Sequence, residues 1–459
     1  MKIILVLPRI DTYVITPPLG LGYLASSLRV AGHKVMLLDC LVKNIGVGKF
    51  RKILELHRPD LVGINTMTSY YTEAIRYVRA AKEMGIKTCL GGPHVSALTQ
   101  RSLIESGADF ILVGEADHSI VELADALEKG GDLSKIDGLA YWEKGKIRIN
   151  PARKLIADLD SLPFPDWVQL NPNQYPYAPH GAFVKRFPVA PIVTTRGCPF
   201  NCSFCASKCV WLRILRFRNP KKVVDEIEML YTKYGVREIH IEDDNFTSNR
   251  KHAEEVCKEI IRRKLDITWA CPNGVRIDFL DRELLKLMKK SGCYLLALGI
   301  ESGNQAILDK MEKHLDLSKV PGILRMIHEV GIETWGFFIL GLPGETKQTI
   351  MQTIRFAKEN EFDRAQFGIL TPLPGSTIFE EWAKGKTDFD WKKFNFYDLV
   401  YVTEGLKGED LLRLQTKAYR AFYFRPKIVI NLIKNIRAKQ LSFILKRLKT
   451  YMIPQAKSG

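Results

Sequence analysis

Short apolar runs alternate with segments of helical length and periodicity through most of this 459-residue chain, in two blocks parted by a proline-rich stretch. The first block has such runs at 2–7, 34–39, 61–66, 86–90 and 109–113, and the second near 191–196, 236–242, 266–271, 293–300, 332–341 and 364–371. Parallel strands need long crossovers, which helices supply, so the alternation predicts an α/β fold with parallel sheets covered by helices. Residues 1–150 are expected to form a doubly wound, Rossmann-like domain. Residues 191–385, with six βα repeats, predict a partial (β/α)6 barrel of the TIM type. Between them, 8 of the chain's 22 prolines fall from Pro151 to Pro191, which reads as an extended linker over 151–190. A hairpin is expected over Leu139–Ile149, turning at Lys144-Gly145, and a basic helical region over 386–459.

The net charge of +17 belongs mostly to that last region, because the residues from Leu411 to Gly459 include 12 Lys and Arg and no acidic residue. An apolar fraction of 46% and a charged fraction of 26% exclude a disordered or fibrous chain. Apolar sequence at the start is brief: the run beginning at Ile3 stops at Pro8, too short for a secretory signal, and no stretch reaches the ~18 apolar residues of a membrane span. The expectation is a cytoplasmic protein, with membrane association as a further reading. Apolar Leu432, Ile436, Ile444 and Leu448 among Lys and Arg over Lys427–Lys449 suit docking on an anionic membrane surface, contact with nucleic acid, or a helix packed on the barrel with a solvated basic face.

Nine cysteines in so long a chain make no disulfide framework, yet four fall between Cys198 and Cys209. That clustering points to metal in a reducing compartment. Cys198, Cys202 and Cys205 form a CxxxCxxC array directly after a strand, with Phe204 before the last thiol. Thiolates at this spacing can converge from one loop on three irons of a cubane cluster and leave the fourth iron open. Zinc is the competing reading, with Cys209 completing four thiols, but structural zinc sites usually join two separated short-spaced pairs. Plain buried cysteines are the third reading, and Cys209 is expected to be a bystander.

Parallel sheets bind ligands beyond the carboxyl ends of their strands. In the first block those ends read Pro8-Arg9, Thr66-Met67-Thr68, Gly91-Gly92-Pro93-His94 and Gly114-Glu115, and no GxGxxG follows the first strand, so a nicotinamide reading is weak. In the second block they read Glu242-Asp243-Asp244, Asn273-Gly274-Val275-Arg276, Gly299-Ile300-Glu301-Ser302-Gly303, Gly341-Leu342-Pro343-Gly344-Glu345 and Thr371-Pro372-Leu373-Pro374-Gly375-Ser376. An acidic turn or helix N-cap, a surface arginine and a simple turn are the bland readings of the first, second and last of these.

The cysteine array opening a sixfold βα repeat resembles the radical S-adenosylmethionine (SAM) enzymes over roughly residues 190–385. The resemblance implies a 4Fe–4S cluster on Cys198, Cys202 and Cys205, whose open iron chelates SAM and cleaves it to a 5′-deoxyadenosyl radical that takes hydrogen from an unactivated carbon. It places Phe204, Asp243, Asp244, Arg276, Glu301, Ser302 and Gly341 against SAM, with the two acids standing where the family's "GGE" segment meets the methionyl ammonium. Arg276 would pair with the methionyl carboxylate.

The sequence PPLGLGYLASSLRVAGHKVMLLD, with later LGGPH and VGEAD, resembles over about residues 1–140 the cobalamin-binding domain fused to many of these enzymes. That likeness implies cobalamin contacts at Thr66, Thr68, Gly91, Gly92, His94, Gly114 and Glu115. No Asp-x-His-x-x-G occurs, so no protein ligand to cobalt is predicted, and a lone loop histidine such as His94 is more often a hydrogen-bonding residue.

Together the two resemblances imply a cobalamin-dependent radical methyltransferase. A radical cyclase or oxidative C–C or C–O bond former is the alternative, and a non-catalytic cobalamin carrier or sensor is a rival from another class. A tRNA methylthiotransferase is disfavoured, because the chain lacks a second cluster-binding cysteine set. Expected partners are a small-molecule or lipid substrate and an electron donor such as flavodoxin or ferredoxin, not nucleic acid.

Overall fold

The computed structural model describes residues 1–10, 12, 15–177 and 184–435, with side chains described to Ile430. The chain divides into two compact units, the first made of Met1–Tyr175, Cys205–Arg218 and Leu373–Phe394, the second of Pro176–Phe204, Asn219–Pro372 and the chain from Asn395.

The first unit is built on seven strands: β1 (Lys2–Leu7), β2 (Lys34–Asp39), β3 (Leu61–Asn65), β4 (Lys87–Gly91), β5 (Phe110–Leu112), β6 (Leu139–Glu143) and β7 (Lys146–Ile149). Their order is β2-β1-β3-β4-β5-β6-β7, and β1 to β5 pair in parallel. Ile3, Ile4, Leu5 and Val6 are all buried, as a strand covered on both faces requires. The chain winds one way from β1 to β2 and the other way from β3 onward, so a crevice opens where the winding reverses, outside the carboxyl ends of β1 and β3. The expected hairpin is β6 and β7, antiparallel to each other and, through β6, to β5. Lys144 and Gly145 both have positive φ (48° and 77°), the turn geometry that matches strand twist.

The expected linker over 151–190 is corrected in its first half, where residues to Tyr175 pack into the first unit. Ile156, Leu159 and Leu162 bury against Tyr23. The Gln169 side chain accepts from Leu37 N at 2.7 Å, and the Tyr175 hydroxyl donates to Asp39 Oδ2 at 2.9 Å. Prolines denied this stretch helix and sheet, but its apolar side chains still found a core. The boundary expected at 385 is likewise displaced, since Leu373–Phe394 belongs to the first unit. Phe379, Trp382, Phe389, Trp391 and Phe394 pack there ring against ring.

The second unit holds β8 (Val189–Ile192), β9 (Glu238–Ile241), β10 (Thr268–Val275), β11 (Cys293–Glu301), β12 (Glu333–Leu340) and β13 (Arg364–Ile369). They lie side by side in chain order and all pair in parallel. Crossovers of one hand put every connecting helix of such a sequential sheet on the same face, which is the arrangement of a partial barrel rather than a doubly wound sheet. The edge strand β13 is covered by the helix Gly408–Tyr423, whose Tyr419 hydroxyl receives Phe367 N at 3.2 Å and whose Tyr423 hydroxyl donates to Ala365 O at 2.7 Å. The expected basic helix begins as Pro426–Asn435, while Ile436, Ile444, Leu448 and the Leu432 side chain lie outside what is described. Among the described residues no helix is long and apolar enough to cross a membrane.

Candidate functional site

The nine cysteines fall into two classes. Cys40, Cys89, Cys257, Cys271 and Cys293 are buried, while Cys198, Cys202, Cys205 and Cys209 are half-buried and unbridged. Core filling therefore accounts for five thiols and not for the loop. Cys209 lies 3.8 Å from the Pro93 carbonyl, and burial, helped by the charge of Cys205, pushes its thiol up to about 11. It is a protonated neighbour by this geometry. Three accessible thiols in one loop are the donor set that an iron–sulfur cluster needs, so the residues present fit that group.

The root and seat of that loop are braced within the second unit. Asp243 takes Thr194 N at 2.6 Å, Thr195 N at 3.1 Å and the Thr194 hydroxyl, and His252 Nε2 lies 3.0 Å from that same hydroxyl. Burial pushes the Asp243 carboxyl up to about 6 against those donors. Asp243 thus fixes the chain just before Cys198. Asp244 next to it is open to solvent but hemmed in by protein, which pushes its carboxyl up to about 6 while the Gly197 N–H lowers it.

Further along the loop, Ser203 N donates to Met311 O at 3.1 Å and Asn201 Nδ2 to Glu312 Oε2 at 2.6 Å. The loop therefore sits on the turn 311–314, where Glu312 and His314 both hold left-handed φ (53° and 51°). Non-glycine residues in that region are strained, so something must hold them. Arg276 does: its Nη1 donates to Lys313 O at 2.7 Å, Nη2 to His314 O at 3.0 Å, and Nε and Nη2 to Asp278 at 2.9 and 2.6 Å. Its guanidinium also stacks 4.0 Å from the Phe200 ring centroid. These bonds use Nε, Nη1 and Nη2, the same nitrogens that the expected fork onto a methionyl carboxylate would use.

The strained turn delivers Lys313, which the sequence reading missed. Its Nζ is 2.8 Å from Glu301 Oε1 and 5.9 Å from the Phe204 ring centroid. Burial would lower its affinity for a proton, but the carboxylate of Glu301 and the charge of Cys202 outweigh burial and hold the ammonium above its ordinary range. Glu301 itself has φ 67°, a second strained residue at the same strand end. The available signal was the charged break Glu312-Lys313-His314 ending an apolar helical segment.

Two other expected contacts also have partners within the protein. Ser302 Oγ shares a hydrogen bond with Thr353 Oγ1 at 3.2 Å and accepts Asn304 N at 3.2 Å, so it pins β11 to the helix Lys347–Glu359. Gly341, at φ 84°, donates its N–H to Glu345 Oε2 at 2.7 Å, and a Cβ there would meet Leu411 Cδ2 at 2.8 Å. Glu345 also accepts Leu342 N, and burial pushes its carboxyl up to about 7. Thr371 bonds Asn395 O and Ser376 caps the helix Thr377–Trp382, as a plain turn would.

In the first unit the strand ends behave differently. Thr66 is fully buried, with its hydroxyl on Gly91 O at 2.9 Å. Gly92 has φ 119°, and a Cβ on it would lie 2.3 Å from Thr66 O, so no other residue fits there. Gly91 and Gly114, by contrast, have no atom within 4 Å of where a Cβ would stand. This bare backbone at the carboxyl ends leaves room for the close approach of a large flat ligand such as cobalamin. His94, beside these glycines, is buried. Its ring is 1% exposed, stacks 3.9 Å from Tyr71, meets the edge of Trp391 at 4.8 Å and uses Nδ1 on Thr68 Oγ1 at 3.1 Å. Burial pushes it down to about 3, so it is a neutral buried histidine. Glu115 is also committed: it takes Arg216 Nη1 at 2.6 Å and Ile156 N at 2.9 Å. Arg216, another residue the sequence reading missed, keeps Nε and Nη2 buried without acceptors.

Comparisons with known proteins agree with both halves. Residues 192–357 match the Radical SAM superfamily and residues 8–124 the B12 binding domain. An uncharacterized methyltransferase of Pyrococcus horikoshii is 34% identical over 458 residues, covering 97% of each chain. The anaerobic magnesium-protoporphyrin IX monomethyl ester cyclase of Rubrivivax gelatinosus is 32% identical, covering 89% of this chain and 74% of its own. The radical S-adenosylmethionine methyltransferase TsrM of Kitasatospora setae, solved with cobalamin and a 4Fe–4S cluster, shares the fold at a TM-score of 0.75, with 18% identity over 93% of this chain and 91% of that one.

Proposed function

The chain belongs to the radical SAM superfamily, among the members that carry a B12-binding domain, and on that premise we propose that it transfers a methyl group to an unactivated carbon of a small molecule. Its cofactors are a 4Fe–4S cluster, SAM and cobalamin. The observation that carries the reading is that one chain holds both three half-buried loop thiols and an open glycine-lined sheet edge. When bound, the cluster with SAM supplies reductive cleavage to a hydrogen-abstracting radical, and cobalamin supplies a methyl carrier. Cys198, Cys202 and Cys205 hold the cluster, Asp243 and Arg276 fix the loop that presents it, and Phe204, Asp244, Glu301 and Lys313 face SAM. Gly91, Gly92 and Gly114 shape the corrin cradle, and cobalt takes no ligand from His94.

The test is anaerobic reconstitution with iron, sulfide and cobalamin, then turnover with SAM bearing a deuterated methyl group and a panel of small molecules. A product carrying all three deuteriums supports methyl transfer; a dehydrogenated or ring-closed product with no added label replaces it with cyclisation. That second reading has its own support in the 32% identity to a cyclase.

For partners, we propose a flavodoxin or ferredoxin as reductant and an anionic membrane surface as a docking site. The 60% and 51% exposure of Phe424 and Ile430 at the start of the basic C-terminal segment supports this reading, since apolar side chains beside Lys and Arg suit an anionic surface. Vesicles with anionic lipid should sediment the protein and neutral vesicles should not; equal behaviour of the two removes this reading.

A further inference from the structure

We infer that His33, Asp125 and Glu128 form a binding site for a divalent transition ion of the zinc class, at the amino ends of the first sheet's strands. Neither the cluster nor the corrin cradle uses these residues, so the inference stands independently of the proposed reaction. His33 lies in the turn between the helix Leu19–Val30 and β2, and the two acids sit three apart on the helix Ser119–Lys129, on one face.

The imidazole is the fixed member. Its side chain is 2% exposed; Nε2 is 3.6 Å from Asp125 Oδ1, and Nδ1 is 3.7 Å from Glu128 Oε2. Nε2 is buried with no hydrogen-bond partner, a cost that a ligand would remove. One ligand atom from each of the three residues lies within 4.8 Å of the others. Around a tetrahedral zinc with bonds of ~2.0–2.2 Å, neighbouring ligand atoms are about 3.4 Å apart. The carboxylates are 38% and 46% exposed, so rotation of these side chains can close the difference while the ring stays in place.

Their present partners are weak competitors. Asp125 pairs with Lys129 Nζ at 2.9 Å and Glu128 with the Met1 amino group at 2.6 Å, and both cations hold the carboxyls below their ordinary range, ready as anions. Exposed ion pairs of this kind contribute little, but the Met1 amino group also lies 3.2 Å from His33 Nδ1, so an entering ion displaces it from the ring as well as from Glu128. One nitrogen and two oxygens with no thiol suit zinc and its borderline neighbours rather than an iron–sulfur cluster, with water completing the shell. The bound ion would tie the turn before β2 to the helix Ser119–Lys129.

The experiment titrates Zn2+ by calorimetry into the full chain bearing Ala at Cys198, Cys202 and Cys205, which removes competing loop thiolates. One equivalent should bind, His33→Gln should abolish the heat, and Glu128→Gln should weaken binding by about ten-fold or more, a loss that even an outer-shell partner can cause. Glu128 is exposed, so its variant folds and keeps the test valid if His33→Gln does not. No saturable heat from the starting chain, or an unchanged isotherm in Glu128→Gln, overturns the site.

Discussion

The carboxyl ends of the two parallel sheets are of opposite character. The first presents bare backbone: Gly91 and Gly114 leave open space, and its polar residues Thr66, Thr68, His94 and Glu115 are turned to internal partners. The second presents strained, charged side chains: Glu301 at φ 67°, and Lys313 held between two left-handed residues by Arg276. A shape-based cradle needs little more than missing Cβ atoms. A site that must hold charge next to reactive metal needs buried ions in fixed places, and these cost backbone strain and desolvation.

The largest effect that would sharpen this contrast is at the thiols. Replacing Cys198, Cys202 and Cys205 with Ala should abolish the iron–sulfur absorbance while cobalamin retention on gel filtration persists; Cys209→Ala should leave the cluster intact. Next come the buried pairs, one in each unit: Glu115–Arg216 at 2.6 Å and Glu301–Lys313 at 2.8 Å. Lys313→Met and Arg216→Met should each cost ~3–5 kcal/mol in denaturant unfolding, because each leaves a carboxylate buried and uncompensated. Only Lys313→Met should also alter the electron paramagnetic resonance spectrum of the reduced cluster. Equal spectral effects would break the distinction between a structural pair and a functional one.

A smaller effect should follow pH. The Glu345 carboxyl is pushed up from 4.5 to about 7 by burial, so between those pH values the folded chain keeps a proton that the unfolded chain has released. Stability should therefore fall as pH rises through that window, by up to about 3 kcal/mol, and level off above it. Glu345→Gln should flatten the slope. The smallest effects separate two adjacent glycines. Gly92→Ala should destabilise by about 1–3 kcal/mol, since it forces a side chain into a disfavoured φ and against Thr66 O. Gly91→Ala should leave thermal unfolding almost unchanged and weaken cobalamin binding instead.

Much of the fold was legible because its signal is periodic: every strand of both sheets was expected close to where it lies, down to the Lys144-Gly145 turn. The cysteine loop was legible because thiols at that spacing have few other uses. What was not legible depends on chain path. Nothing local in 151–175 says that Ile156 and Leu162 will find Tyr23, and nothing in 373–394 says that it belongs with the first sheet. The internal partners of the site side chains were not legible for a related reason. A strand-end Asp243, Arg276 or Ser302 reads the same whether it faces a ligand or a neighbouring loop, and only the fold shows Thr194, Lys313 O and Thr353 waiting for them. Lys313 was invisible because its importance comes from a tertiary pair with Glu301.

The central claim is that this chain couples radical generation to methyl transfer, and the most direct measurement is the ratio of two products of SAM consumption by the reconstituted protein with its substrate. Methyl transfer through cobalamin spends one SAM as methyl donor and another as radical source, so S-adenosylhomocysteine and 5′-deoxyadenosine should accumulate in about equal amounts. Deoxyadenosine formed without S-adenosylhomocysteine would contradict methyl transfer and assign the chain to cyclase-type chemistry.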